Sequence, residues 1–118
     1  MRSLTFTVPL PPSVNRLYTI QKNRLRLTQL GDAFKQEAGW IARMACRDAE
    51  FETVEAEHVG MTVHLYMKRG DGDNRLKALQ DAFNGIVWRD DKQVKRGAWF
   101  VHHSKREYAE VTIEVLGS

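Results

Sequence analysis

Two aspartates and a lysine form the pattern in this sequence with the clearest chemical meaning. Asp71 and Asp73 are separated by one residue, and Lys77 follows Asp73 by four residues. Side chains two residues apart in an extended segment point the same way, and residues four apart on a helix are neighbours, so the three groups can converge. Converging carboxylates bind hard cations, and Mg²⁺ needs only a few of them besides water and phosphate oxygens. The spacing therefore favours a Mg²⁺ site with an ammonium group beside it.

A second acidic pair, Asp90-Asp91, follows the predicted second helix. A helix and a short loop can bring the chain back beside the sheet, so either residue could complete a cluster of three carboxylates. One or two Mg²⁺ ions there would activate water and neutralise the charge of a phosphodiester. The simpler alternative is that Asp71 and Asp73 are only a turn residue and a helix cap. A calcium loop of the EF-hand type is not expected, because its glycine and terminal glutamate are missing.

Basic residues are grouped at 16–26, 68–77, 92–96 and 105–106, although 18 Lys and Arg against 15 Asp and Glu leave a formal charge of only +3. If these groups converge on one face, they form a surface that contacts phosphates. The alternative is ordinary surface charge. Trp88 and Trp99 can stack on unpaired bases, but the core or a dimer interface is the favoured interpretation of both. His102 and His103 are interpreted as edge-strand residues and not as metal ligands.

The elements that must position these groups follow from the hydrophobic pattern. Leu4, Phe6 and Val8 alternate with polar residues, which predicts a strand, whereas the basic, proline-containing segment 9–28 predicts a long loop. Thr28 is a candidate N-cap for a helix that ends near Ala49. The remaining predicted elements are a strand over 59–67, a helix capped by Asp73 or Asn74 with Gly85 near its end, a polar loop over 88–93, and strands near 94–103 and 107–116. The order β-α-β-α-β-β predicts a small α/β fold with a mixed sheet and two helices.

Length and composition limit the class of protein. A chain of 118 residues predicts a single domain spanning residues 1–118. The single cysteine, Cys46, excludes an internal disulfide framework and a cysteine-rich zinc site, and it is expected to be a small buried side chain. No apolar run approaches the ~18 residues of a membrane span, and residues 1–6 alternate instead of forming a signal-peptide core. The expected location is therefore the cytoplasm, without membrane association.

Four motifs in order resemble the RusA family of Holliday junction resolvases. The first is Pro11-Pro12-Ser13-Val14-Asn15-Arg16, and the second is Asp71-Gly72-Asp73-Asn74-Arg75-Leu76-Lys77. Asp81-Ala82 resembles the Asp-Ala motif of the family's second helix. Trp88-Arg89-Asp90-Asp91-Lys92-Gln93-Val94 resembles the stretch beyond that helix. The likeness covers nearly the whole chain, and four motifs with matching gaps are far more specific than any one of them.

The resemblance implies a homodimeric, Mg²⁺-dependent endonuclease that nicks four-way DNA junctions symmetrically, acts on branched DNA, and uses no small-molecule cofactor. It assigns metal binding to Asp71, Asp73 and Asp91 and an essential role to Lys77. Asn74 is then a supporting polar residue, and Asp90 faces outward, caps the turn or orients a ligand. The DNA contacts implied are Arg16, Lys68, Arg69 and Arg75. This chain departs from the family pattern at Gly70 and Gly72, where a basic and an apolar residue are usual.

Three other functions are compatible with parts of the pattern. A non-catalytic junction-binding protein would keep the fold, but an idle carboxylate cluster would only repel DNA. A metal-dependent nuclease of another substrate class would use the same cluster. A receiver-type phosphoacceptor domain also uses aspartates, a lysine and Mg²⁺, but it needs repeated βα units around a parallel sheet, which the predicted element order lacks.

Overall fold

The computed structural model describes residues 2–13, 16, 18–70, 72 and 75–117, with the backbone alone for Tyr18. Three predicted site residues, Asp71, Asp73 and Asn74, lie outside these ranges. The strands are β1 (Ser3–Val8), β2 (Tyr18–Gln21), β3 (Arg24–Leu27), β4 (His58–Met67), β5 (Val94–His103) and β6 (Tyr108–Gly117). The helices are α1 (Gln29–Asp48) and α2 (Leu76–Phe83), and a 3₁₀-helix covers Asp91–Gln93.

The main sheet has four strands in the order β1-β6-β4-β5. β6 pairs antiparallel with both β1 and β4, whereas β4 and β5 are parallel. The predicted α/β fold with a mixed sheet is confirmed. β5 forms one edge of this sheet.

The core lies between the helices and one face of the sheet. Alternate β4 residues are at most 1% exposed, namely Val59, Met61, Val63, Leu65 and Met67. Their neighbours on β6 (Ala109, Val111 and Ile113) are equally buried, whereas the intervening residues are only partly buried, namely Thr62, His64 and Tyr66 on β4 and Glu110, Thr112 and Glu114 on β6. Because successive side chains of a strand point to opposite faces, the helices cover one face and the other lies towards solvent.

Helix α1 begins where its sequence predicts. The Thr28 hydroxyl accepts a hydrogen bond from the Gly31 N–H (3.0 Å), which satisfies one of the free donors of the first turn. The helix buries Phe34, Ala38, Ala42 and Cys46. Leu30, in the first turn, is exposed. Burial raises the pKa of the Cys46 thiol, which agrees with the small buried side chain expected there.

The prediction of a loop over 9–28 is wrong for residues 18–27, which form the β2–β3 hairpin. Lys22 and Asn23 connect its strands with φ values of 50° and 61°. Two successive left-handed residues give the turn that matches the twist of paired strands. The side chains described for this hairpin are all exposed, Ile20 and Leu25 among them, so they lack the alternation of buried and exposed residues that identifies β1 and β4.

Helix α2 is shorter than predicted. Its N-cap is Arg75, which makes no capping hydrogen bond through its side chain, and it ends at Phe83, before Gly85. The chain then turns into a segment predicted to be a polar loop, where Trp88 is fully buried with its ring 6.1 Å from that of Phe83. The core interpretation of Trp88 is confirmed. No helix among the described residues is long and apolar enough to cross a membrane.

Gly72 lies against the side of the sheet that faces the helices. A Cβ atom at this position would come within 2.6 Å of Trp99 Cδ1, 2.7 Å of Val101 Cγ2 and 2.8 Å of Leu65 Cδ1. These contacts are too short for any side chain. The Trp99 indole therefore fills the space that an apolar residue between Asp71 and Asp73 would otherwise occupy.

The packing around Gly72 predicts a non-additive mutant pair. Gly72→Ala should lower the free energy of unfolding by about 1–3 kcal/mol, because the added methyl overpacks a filled site. Adding Trp99→Ala should recover part of this loss, because it removes the nearest obstacle. Urea denaturation of the two single variants and the double variant measures the coupling.

Gly97→Ala is the matched control, because its Cβ would find nothing closer than Leu76 Cδ1 at 3.9 Å. It should leave stability almost unchanged. Strictly additive effects of Gly72→Ala and Trp99→Ala would show that the indole does not determine the packing of Gly72.

Candidate active site

Asp91 is held in a defined orientation where the chain enters β5. It is the first residue of the 3₁₀-helix, and its Oδ1 accepts a hydrogen bond from Trp88 Nε1 at 3.1 Å. Trp88 is immobilised by burial, so its N–H fixes one carboxylate oxygen of a half-buried aspartate. Positioning by a rigid neighbour is what a metal ligand requires.

Asp90 has a different role in the structure, since it caps the same 3₁₀-helix. Its carboxylate accepts from the Lys92 N–H (3.0 Å), and its own N–H donates to Gln93 Oε1 (2.8 Å). The Gln93 amide is buried and donates to the carbonyls of Val54 and Glu57, both at 3.0 Å. This network fixes the turn that carries Asp91.

The sequence contains a signal for this network that the interpretation of 88–93 as a polar loop missed. An acidic N-cap followed three residues later by glutamine is the pattern of a capping box. Asp90 and Gln93 fit it.

Asp91 and Gly72, the described residue between Asp71 and Asp73 in sequence, lie at different positions along β5. Asp91 precedes Val94, which pairs with Val59 at the start of β4. Gly72, between the other two aspartates in sequence, packs against Trp99 and Val101, further along β5. Trp99 is five residues beyond Val94, a distance of about 16 Å at a rise of ~3.3 Å per residue. Val94, three residues after Asp91, is thus separated by about half the length of β5 from the residues that contact Gly72.

Lys77 lies in the first turn of α2 with its ammonium towards solvent. Its Nζ is 3.6 Å from Oδ2 of Asp81, one turn further along the same helix. Asp81, of the Asp-Ala motif, thus forms an ion pair with Lys77 on the same helix. Asp73, the neighbour predicted for Lys77, lies outside the described residues.

Arg16 and Arg75 line one cleft of about 400 Å³ together with Glu37 and Glu107. The Arg75 guanidinium donates to the carbonyl of Pro11, and its Nε is buried without a partner among the described residues. The proline-containing motif and the start of α2 are therefore joined through Arg75. Arg16 and Arg75, both predicted to contact DNA, thus line the same cleft.

The other basic groups lie in two places. Lys68 and Arg69 are exposed just after β4, and Lys105 and Arg106 just after β5, and the Ser104 N–H joins the two strand ends by donating to the Met67 carbonyl at 2.8 Å. The 92–96 group lies at the opposite end of β5. A single chain therefore does not gather all its basic groups at one site, and within the described ranges no three His, Cys, Asp or Glu residues form a metal-binding group.

Comparison with known proteins identifies the family. Residues 9–115 match the model of the family described as endodeoxyribonuclease RusA. The chain is 32% identical over 98 residues to the crossover junction endodeoxyribonuclease RusA of Escherichia coli K12, a match that covers 80% of this chain and 78% of that protein. The proteins of the same name from Shigella sonnei and Enterobacteria phage 82 are 32% and 31% identical over the same shares. This chain belongs to the RusA family of endodeoxyribonucleases.

Proposed function

We propose that this nuclease resolves four-way DNA junctions by paired, Mg²⁺-dependent nicks. The observation that carries the proposal is the Asp91 carboxylate, fixed by Trp88 in a chain of the RusA family. The relatives that match 80% of this chain are named crossover junction endodeoxyribonucleases.

The donor set suits Mg²⁺. Asp71, Asp73 and Asp91 offer only carboxylate oxygens, the ligands this ion prefers, and Trp88 already orients one of them. The ion would supply an activated water and neutralise charge on the phosphodiester. Lys77, exposed on the first turn of α2, would stabilise negative charge on the same phosphate.

The separation of Asp91 from Gly72 supports a site shared between two chains. Consecutive Cα atoms are about 3.8 Å apart, and an aspartate side chain reaches a similar distance. The carboxylates of Asp71 and Asp73, which flank Gly72 in sequence, therefore stay within ~8 Å of its Cα atom. In the same chain, Val94, three residues after Asp91, is about 16 Å along β5 from Trp99, the residue nearest to Gly72. We infer that each metal is bound by Asp71 and Asp73 of one chain and Asp91 of a second copy.

The exposed edge of the sheet offers the interface for such a homodimer. β5 is an edge strand of ten residues, and its Trp99 is 45% exposed on the side of the sheet that faces the helices. Antiparallel pairing of two β5 strands about a two-fold axis can place the start of one strand beside a later part of the other. An axis that passes between about residues 95 and 96 would bring Asp91 of each chain level with the part of the other chain's β5 that contacts Gly72. Two sites related by the axis match the two opposing strands that must be cut in a four-way junction.

Cleavage of a synthetic four-way junction tests the proposed function. With Mg²⁺ the protein should place nicks in two opposing strands, while a linear duplex of the same sequence stays intact and EDTA stops the reaction. Asp73→Asn should still bind the junction without cutting it, because the shape of the site is kept. Junction binding without any cleavage would favour a non-catalytic junction-binding protein, and equal cleavage of the duplex would favour a nuclease of another substrate class.

Asp90 and Asp91 should respond differently to the same change. Asp91→Asn should remove Mg²⁺-dependent cleavage almost completely, because it removes a charged ligand. Asp90→Asn should reduce cleavage only partly, because asparagine is an equally good cap and keeps the turn. Cleavage rates and calorimetric Mg²⁺ titration of both variants provide the measurement. If Asp90→Asn abolishes metal binding and Asp91→Asn binds normally, the ligand assignment is wrong.

Lys77→Ala should lower the cleavage rate on the order of a hundredfold with the fold intact, if its ammonium stabilises charge on the phosphate. The alternative is that Lys77 forms only an ordinary helix ion pair with Asp81, which would contribute about 0.3–0.5 kcal/mol to stability and leave the cleavage rate nearly unchanged. Asp81→Asn is the matched control, because it breaks the observed pair and keeps the lysine. If both variants have similar, small effects on the cleavage rate, Lys77 acts only in a surface ion pair and not in catalysis.

A further inference from the structure

The solvent-facing side of the main sheet carries a continuous column of rings. β4 contributes His64 and Tyr66, β5 contributes Phe100 and His102, and β6 contributes Tyr108. The strand register places these residues on the face that the helices leave open, opposite the buried alternate residues of β4. We call this set the ring column.

The rings are stacked and not merely adjacent. Along the order Phe100, His64, His102, Tyr66, Tyr108, successive centroids are 5.1, 5.1, 4.7 and 4.5 Å apart, with interplanar angles of 19°, 24°, 19° and 9°. A hydrogen bond of 2.8 Å between His64 Nδ1 and His102 Nε2 fixes two of the rings. The column is therefore preorganised, which lowers the entropic cost of adding another flat ring to it.

The ends of the column differ. At one end the Arg106 guanidinium carbon lies 5.2 Å from the Tyr108 ring centroid and covers it. At the other end Phe100, on the edge strand β5, is 51% exposed. One end is thus closed by a cation, and the other leaves an aromatic surface open to a further ring.

Positive charge surrounds the end of the sheet that carries the column. Lys68, Arg69, Lys105 and Arg106 follow β4 and β5 at this end. The acidic residues nearby are Glu107, beside these basic residues, and Glu110, opposite His64 on β6. Aromatic rings that accept any base, beside basic side chains that contact phosphates, are the features of surfaces that bind single-stranded nucleic acid.

We propose that the ring column is a binding surface for unpaired DNA, in which a base stacks on Phe100 and the adjoining phosphates contact the basic residues at the strand ends. This proposal deepens the proposed function by adding contacts to an unpaired strand, and it rests on the proposed function only for the choice of DNA as the nucleic acid.

A second copy of the chain fits this face of the sheet less well than DNA does. The rest of the face is polar, with a hydrogen bond between Thr5 and Thr112 and an ion pair between Arg96 and Glu114, whereas stable interfaces have an apolar centre. Pairing through the β5 edge uses backbone groups and leaves the column on the open face.

Binding of a fluorescein-labelled thymidine oligonucleotide of about 16 nucleotides, long enough for such a surface, tests the proposal by fluorescence anisotropy in EDTA. Phe100→Ala should weaken binding about 5- to 100-fold, the effect of losing one base–aromatic stack. Tyr66→Leu should also weaken binding. Tyr66 lies on the interior strand β4, so a disturbed dimer contact at the β5 edge would not explain its effect. Trp40→Ala is the matched control, because this tryptophan is 64% exposed on α1 and lies outside the column.

A photo-crosslinking oligonucleotide with 5-iodouracil should attach to Phe100 or a neighbouring ring of the column. Wild-type affinity of both ring variants, an equal loss in Trp40→Ala, or crosslinks confined to other elements would each overturn the proposal. Because the assay contains no Mg²⁺ and no junction, its failure is independent of the proposed nuclease function. Conversely, absence of junction cleavage would leave the oligonucleotide result standing.

Discussion

The parallel pairing of β4 with β5 is the constraint on which the rest of the structure depends. Two parallel strands cannot be joined by a tight turn, so the chain must leave the end of β4, cross the sheet as a helix and return to the start of β5. The segment containing Gly72 begins this crossover and Asp91 ends it. Asp91 therefore lies before the start of the strand pair, whereas Gly72 packs against its middle.

The ends of the crossover are held by different kinds of interaction. At its beginning, Gly72 allows the backbone to approach Trp99 and Val101 more closely than a side chain would permit, and Arg75 ties the following residues to the Pro11 carbonyl. At its end, Gln93 satisfies two backbone carbonyls beside the core, and buried Trp88 directs its N–H to Asp91. Polar groups buried in this way need their partners, since an unsatisfied buried group costs about 1–3 kcal/mol. The fold thus stabilises the two halves of the candidate site separately.

Local patterns in the sequence were sufficient for the elements that local chemistry determines. The alternation in β4 and the Thr28 cap of α1 depend on nearby residues, and both are where the pattern predicts them. The β2–β3 hairpin was missed because exposed strands lack a buried face, and the end of α2 was misplaced because Trp88 packs on Phe83 through tertiary contacts. The position of Asp91 relative to Gly72 depends on whether β5 runs parallel to β4, which no neighbouring residue determines. The resemblance could therefore name the carboxylates, but it could not say whether one chain brings them together.

A mixture of two inactive chains tests the shared metal site most directly. Asp73→Asn and Asp91→Asn protein, each inactive alone, are unfolded together, refolded and assayed on a four-way junction with Mg²⁺. In a mixed dimer with shared sites, one site combines both defects and the other combines none, so the account predicts that cleavage returns as single nicks. If each site were built within one chain, every site in the mixture would carry a defect. A refolded mixture that forms dimers and remains as inactive as its components would contradict the account.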